Sequence, residues 1–126
     1  MGVSRPWLLI VEDEPEICEM LTQRFEAEEF RVVSCQRENE AIAKIKNQDF
    51  GCIILDLHLK QGSGEKIIEY IDENIRKKHP IPIVVMSGHL DVDLIKDLRG
   101  KIHGAFVKPF DPGQLVAKVK SLIPVI

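Results

Sequence analysis

Features that would place a chain outside the ordinary globular class are scarce in this sequence. The 126 residues include one tryptophan, one tyrosine, eight glycines and seven prolines, which argues against collagenous and low-complexity disordered chains. The 17 basic and 20 acidic side chains leave a net charge of −3, so there is no general positive charge to attract nucleic acid or an anionic membrane. We expect a globular domain with no direct nucleic-acid partner and no membrane association.

Paired cysteines and long apolar runs are also lacking. Cys18, Cys35 and Cys52 form no CxxC pair and are odd in number, which excludes a closed disulfide framework and indicates reduced thiols. The first apolar run, residues 7–11, has five residues and is too short for a signal sequence or a membrane span. These absences predict a cytoplasmic protein.

Five strand-length apolar runs are present instead, at residues 7–11, 31–34, 52–55, 83–86 and 105–107. Each is almost continuous in its apolarity, which is typical of strands buried on both faces of a parallel sheet. Between them, apolar residues recur at helical spacing, as in Ile17, Leu21 and Phe25 after Pro15. Further helices are predicted around residues 41–45, 64–77, 92–98 and 112–122. Strand and helix alternate five times, which predicts an α/β doubly wound parallel sheet with helices on both faces.

Polar side chains follow these strands where ligands bind an open parallel sheet, beyond the carboxyl ends of the strands. In chain order they are Glu12 and Asp13, then Asp56, then Ser87, then Lys108. Carboxylates about 5 Å apart on neighbouring strands repel by roughly 3 kcal/mol at an effective dielectric of 20, so a cation is expected among them. Magnesium held by carboxylates beside a phosphate is the usual solution.

A carboxylate is also a competent nucleophile toward phosphorus. Magnesium, the Lys108 ammonium and the Ser87 hydroxyl would neutralise the three equatorial oxygens of a transferring phosphoryl group. The strand-end residues therefore predict a magnesium-dependent phosphoryl site.

In this order and spacing, the residues resemble the receiver domain of two-component response regulators over essentially the whole chain. The matching positions are the acidic pair Glu12 and Asp13, Asp56, Gly64, Ser87 and the triplet Lys108-Pro109-Phe110. The resemblance implies a flavodoxin-like fold of five strands in the order 2-1-3-4-5, for which a receiver is a standard example.

The resemblance also implies roles for these residues. Asp56 would accept a phosphoryl group from a histidine kinase or a histidine phosphotransfer protein. Asp13, Asp56 and the backbone carbonyl of His58 would ligate Mg2+ or Mn2+, and Glu12 would contribute through water. Beyond accepting and losing its own phosphoryl group, such a domain is not an enzyme.

The resemblance also implies a conformational switch on phosphorylation. Ser87 would move to bond the phosphoryl oxygens, Lys108 would bond them directly, and the Lys108–Pro109 peptide would be cis. Phosphorylation would bias a surface formed by the fourth helix, fifth strand and fifth helix. That surface would bind a downstream protein, or a second copy in a homodimer.

The sequence departs from the usual receiver pattern at two positions. Lys60 stands four residues after Asp56, where receivers usually have proline, and puts a charge near the site. Ala105 stands three residues before Lys108, where receivers usually carry an aromatic ring. Phe106 comes one residue later and should face the other way by strand alternation, which argues against conventional aromatic switching.

Two histidines flank the expected site. His58 and His89 lie two residues beyond Asp56 and Ser87 respectively. We hypothesise that they tune hydrolysis of the phosphoryl group. Because histidine changes its charge near neutral pH, the lifetime of that group would then depend on pH.

Two other functions remain open from the residues. A phosphohydrolase of the haloacid dehalogenase type also forms an aspartyl phosphate, but needs a second aspartate where His58 stands. An unphosphorylated interaction module is the third reading. Lys108 lies eighteen residues before Ile126, so we expect residues 1–126 to form one receiver domain with no output domain in this chain.

Overall fold

The computed structural model describes residues 6–75, 80–89 and 92–123. Within these ranges, five strands alternate with five helices. The strands are β1 (Trp7–Val11), β2 (Arg31–Cys35), β3 (Cys52–Asp56), β4 (Ile83–Ser87) and β5 (Gly104–Val107). The helices are α1 (Pro15–Ala27), α2 (Glu38–Asn47), α3 (Gly64–Asn74), α4 (Val92–Asp97) and α5 (Pro112–Leu122).

All neighbouring strands pair in parallel, in the order β2-β1-β3-β4-β5. The expected flavodoxin-like α/β fold and its strand order are thus confirmed. The register aligns Val11 of β1 with Leu55 of β3, and Asp56 of β3 with Met86 of β4. The carboxyl ends of these central strands therefore meet at one edge of the sheet.

Element boundaries differ slightly from the predicted ones. β3 and β4 each extend one residue further, so Asp56 and Ser87 are the last residues of their strands. Helix α3 ends at Asn74, whereas a helix through residue 77 was expected; residues 76–79 lie outside the described ranges. Helix α4 is one residue shorter than predicted and buries no side chain.

Two apolar layers cover the faces of the sheet. Alternating strand residues, such as Leu9 and Leu55, pack with α2 and α3 on one face. Their neighbours, such as Leu8 and Ile54, pack with α1 and α5 on the other. Because both faces are covered, β3 and β4 are buried throughout their length, which explains their unbroken apolar sequences.

The helices that border the strand ends have defined starts. The Ser63 side chain accepts a hydrogen bond from the N–H of Glu65 and caps α3, and Asp111 does the same for α5 through Gly113. Among the described residues, no helix is long and apolar enough to cross a membrane.

Candidate functional site

Three carboxylates converge at the carboxyl ends of β1 and β3. Glu12 and Asp13 follow β1 directly, and Asp56 ends β3, which is the neighbouring strand. Each offers an oxygen atom, and these atoms all lie within 4.8 Å of one another. We call these three residues the acidic pocket. Its position matches the one predicted from the strand-end residues.

Lys108 joins two members of the acidic pocket. Its Nζ lies 2.6 Å from Glu12 Oε1 and 3.0 Å from Asp56 Oδ2. Its backbone N–H donates to the Ser87 carbonyl at 2.8 Å, which holds the start of the β5–α5 loop against the end of β4. The Lys108–Pro109 peptide is cis, as the resemblance implies.

Burial and the hydrogen bond from Lys108 have opposing effects on the pKa of Glu12. The Glu12 side chain is fully buried, and this loss of hydration raises its pKa from 4.5 to about 7 despite the hydrogen bonds that it accepts from Lys108 and from the Glu14 N–H. Burial alone would lower the pKa of Lys108, but hydrogen bonds to Glu12 and Asp56 more than offset this, so that pKa is raised. Lys108 therefore remains an ammonium at neutral pH.

Asp56 is 3% exposed, and its surroundings explain why a glycine stands at position 64. A Cβ atom on Gly64 would lie 2.5 Å from the Asp56 carbonyl oxygen and 2.8 Å from Leu57 Cα. Only a residue without a side chain lets the start of α3 pack this closely against the end of β3.

The Ser87 hydroxyl is hydrogen-bonded to the backbone of the loop that follows β4. It donates to the His89 carbonyl at 2.7 Å and accepts from the His89 N–H at 3.1 Å. Within the described ranges, these are its side-chain hydrogen bonds, and none of them reaches Asp56. The predicted bond from Ser87 to a phosphoryl group therefore requires a change of its rotamer or of the loop that follows β4.

The two predicted histidines and the two residues of β5 differ in exposure. His58 and His89 are both exposed. On β5, Ala105 pairs in register with Val85 and is exposed, whereas Phe106 packs with the apolar layer on the opposite face. The aromatic ring of β5 therefore lies on the side of the sheet away from Ala105, as strand alternation predicts.

Two groups that contact the site residues were not predicted from the sequence. Glu14 Oε1 lies 3.7 Å from Lys108 Nζ, and the only sequence signal for it is its place one residue after the acidic pair. The backbone N–H of Lys60 donates to Asp13 Oδ2 at 2.5 Å. Lys60 was expected to act through its charge, and no sequence pattern reveals a role for its amide.

The donor set of the acidic pocket suits a hard divalent cation. Carboxylate oxygens are the preferred ligands of Mg2+ and Mn2+. Lys108 supplies one positive charge against three carboxylates, so negative charge remains to be balanced. The three carboxylates of the acidic pocket could together hold such an ion.

The chain belongs to the response regulator receiver domain family, whose model matches residues 8–120. This family operates in two-component signalling, in which a histidine kinase is the partner. The membership agrees with the fold, the acidic pocket and the lysine at the end of β5.

Particular relatives sharpen this assignment. The chain is 33% identical over 115 residues to the regulatory protein VanR of Enterococcus faecium, covering 90% of this chain and 48% of that protein. It is 28% identical over 116 residues to the transcriptional regulatory protein SrrA of Staphylococcus aureus, covering 92% and 47%. The chain thus spans about half the length of these curated relatives.

Solved structures show the same similarity. The response regulator TrrA of Thermotoga maritima, solved in complex with Mg2+-BeF, is 26% identical, with a TM-score of 0.79 over 98% of this chain and 100% of that one. The receiver domain of a putative LuxO repressor from Vibrio parahaemolyticus is also 26% identical, with a TM-score of 0.81 over 94% and 92%.

Proposed function

We propose that this receiver domain accepts a phosphoryl group on Asp56, with Mg2+ or Mn2+ bound at the acidic pocket, from a histidine kinase or a histidine phosphotransfer protein. The observation that carries the proposal is the hydrogen bond from Lys108 Nζ to Asp56 Oδ2 beside two further carboxylates. An ammonium group, a nucleophilic carboxylate and carboxylate oxygens that could ligate a divalent ion are then present together.

In the proposed step, an Asp56 carboxylate oxygen attacks phosphorus, and the bond between phosphorus and the donor's histidine nitrogen breaks, with its electron pair returning to the imidazole. The bound divalent ion would neutralise charge on the phosphoryl oxygens. Lys108 is placed to stabilise the same negative charge, because its Nζ contacts Asp56 Oδ2. The His58 N–H donates to Asp56 Oδ1 at 2.9 Å and orients the carboxylate.

Labelling by a small phosphodonor tests the acceptor. We expect acetyl phosphate with Mg2+ to add one phosphoryl group to the wild-type chain, seen by intact mass, and Asp56→Asn to abolish it. Asp49→Asn is the matched control, since Asp49 precedes β3 whereas Asp56 ends it. Labelling that persists in Asp56→Asn would refute the assignment.

The same experiment separates the alternatives. A wild-type chain that binds protein partners but is never labelled would be an unphosphorylated interaction module. Multiple turnover of a phosphate monoester would indicate a phosphohydrolase, but the haloacid dehalogenase pattern needs a carboxylate where the exposed His58 side chain stands.

We further propose that phosphorylation is read out at α4, β5 and α5, where a downstream protein or a second copy of the chain would bind. The supporting observation is weak packing: α4 buries no side chain, and Val92 and Val107 are 69% and 50% exposed. Elements that move in switching are drawn from the less stable parts of a fold.

Hydrogen exchange with and without beryllium fluoride and Mg2+ tests this surface. We expect exchange to change in residues 92–107 and not in α2, which forms no part of the proposed surface. Beryllium fluoride that binds without any change in residues 92–107 would contradict the proposal.

A last proposal concerns His58 and His89, both exposed beside Asp56 and Ser87. We expect their replacement by alanine to alter the lifetime of the phosphoryl group and its pH dependence between about pH 6 and pH 8. Lifetimes with identical pH profiles in the wild type and the double variant would rule out this role.

A further inference from the structure

The three carboxylates of the acidic pocket share one feature, which is that each accepts a hydrogen bond from a backbone N–H. The donors are Glu14 for Glu12 at 3.1 Å, His58 for Asp56 at 2.9 Å and Lys60 for Asp13 at 2.5 Å. The first two bonds are local, since donor and acceptor lie two residues apart. The third joins residues 47 apart, so the orientation of Asp13 depends on a separate loop.

That loop, residues 57–63, is held at its start by the sheet and the core. The Leu57 N–H donates to the Met86 carbonyl at 3.0 Å, and the Leu57 carbonyl accepts from the Gly64 N–H at 3.2 Å. Leu59 packs against the apolar layer that covers this face. The residue directly before Lys60 is therefore anchored in the protein.

The far end of the loop is held by the first residue of α2. The Glu38 N–H donates to the Gln61 carbonyl at 3.3 Å, and Glu38 Oε1 accepts from the Ser63 N–H at 2.9 Å. Gly62 lies so close that a Cβ there would come within 2.3 Å of Glu38 Cβ. Lys60 thus lies between two anchored segments, and its amide has a defined position.

On Asp13, this amide occupies one of two carboxylate oxygens. Oδ2 accepts from Lys60, and among the described residues no hydrogen bond reaches Oδ1. Holding one oxygen restricts rotation of the carboxylate and leaves the other oxygen for a cation. Partners of this kind commonly raise metal affinity by orienting the ligand.

We propose that the backbone N–H of Lys60 is a positioning group that orients Asp13 as a divalent-cation ligand, and that the 57–63 loop thereby sets the affinity of the acidic pocket for Mg2+. The inference rests on the proposed function, because it assumes that the acidic pocket binds the ion. The side chain of Lys60 has no part in it. Where receivers carry proline at this position, the residue has no N–H to donate.

Two uncharged variants isolate the amide. Lys60→Ala removes the ammonium and keeps the N–H, whereas Lys60→Pro removes both. We expect Mg2+ titration calorimetry, at about pH 8 and constant ionic strength, to show about 10-fold weaker binding for Lys60→Pro than for Lys60→Ala. Lys60→Ala should bind Mg2+ at least as tightly as the wild type, since a nearby positive charge is gone.

A backbone ester at position 60, introduced with the α-hydroxy analogue of lysine, removes the N–H and keeps both the side chain and the loop geometry. It should reproduce the weakening even where Lys60→Pro does not fold. Lys60→Pro binding Mg2+ as tightly as Lys60→Ala, together with an ester chain binding it as tightly as the wild type, would overturn the inference alone. A wild-type chain whose heat of binding is absent, or unchanged in Asp13→Asn, would instead overturn the proposed metal site.

Discussion

At the ends of β1 and β3, charged groups are buried and bonded on several sides, whereas along α4 and β5 apolar side chains are left in solvent. Glu12 is 0% exposed and bonded to Lys108 and to the Glu14 N–H. Val107, at the end of β5, is 50% exposed. We infer that the enclosed polar region is the rigid one and that the exposed apolar region is the adaptable one.

The difference follows from position in the sheet. β1 and β3 have strands on both sides and helices on both faces, so groups at their ends are enclosed by neighbours. β5 is an edge strand, and α4, with six residues and no buried side chain, covers it poorly. The proposed function would use both properties, since it needs a preorganised Asp56 and a surface that can shift.

The strongest way to break the rigid region is to remove packing beneath Asp56. Leu55 is fully buried in β3, so we expect Leu55→Ala to lower the free energy of unfolding by about 2–5 kcal/mol, through lost burial and a residual cavity. Urea unfolding measures this loss. A decrease below about 1 kcal/mol would show that the layer around β3 can collapse into the space, and that it is not rigid.

Titration of Glu12 tests the electrostatic side of the comparison. Its pKa is about 7 in the folded chain and 4.5 ordinarily, so between these values the folded state holds more protons than the unfolded state, and stability falls as pH rises. We expect a loss of roughly 3 kcal/mol from this group between about pH 4.5 and pH 7 without divalent ions. Above about pH 7 its contribution is constant.

Glu12→Gln should abolish this part of the pH dependence, and unfolding curves of the two chains at several pH values would show it. The contribution of Lys108, whose pKa is raised from 10.5, is constant below that value and is lost only as the pH rises above it, outside this window. Parallel profiles for wild type and Glu12→Gln would mean that Glu12 ionises in the folded state as it does in water.

The smallest effect is expected on the adaptable side. Val107→Ala should change the free energy of unfolding by no more than about 0.5 kcal/mol, because half of the side chain is already in solvent. The same urea experiment as for Leu55→Ala checks it. A loss comparable to that of Leu55→Ala would show that the face of β5 is covered and structurally important, which would contradict the contrast between the two regions.

Most of the architecture was predictable because a strand that is buried on both faces has a continuous run of apolar residues. The unbroken apolar residues of β3 and β4 predicted their strands, and Pro15 and Asp111 predicted the starts of α1 and α5, all of which are confirmed. Boundaries were less accurate. Asp56 and Ser87 were expected to follow their strands, but the ladder of the sheet continues through them.

The candidate site was predictable only as a set of side chains. Glu12, Asp13, Asp56 and Lys108 were foreseen from their places at strand ends, because parallel strands bring their carboxyl ends to one edge. The contacts of Ser87 with the His89 backbone were not foreseen. A hydroxyl at a strand end predicts a nearby partner, but its rotamer depends on the loop that follows.

By itself, the sequence determined the order of strands and helices, the apolar layers and the identity of the residues at the strand ends, since these depend on local periodicity and on which side chains avoid water. Only the tertiary structure decided that Lys108 bonds Glu12 and Asp56, that burial raises the pKa of Glu12, and that the Lys60 amide holds Asp13. Such effects arise between segments far apart in the chain. Their strength depends on distances and solvent exclusion that exist only after the segments have packed.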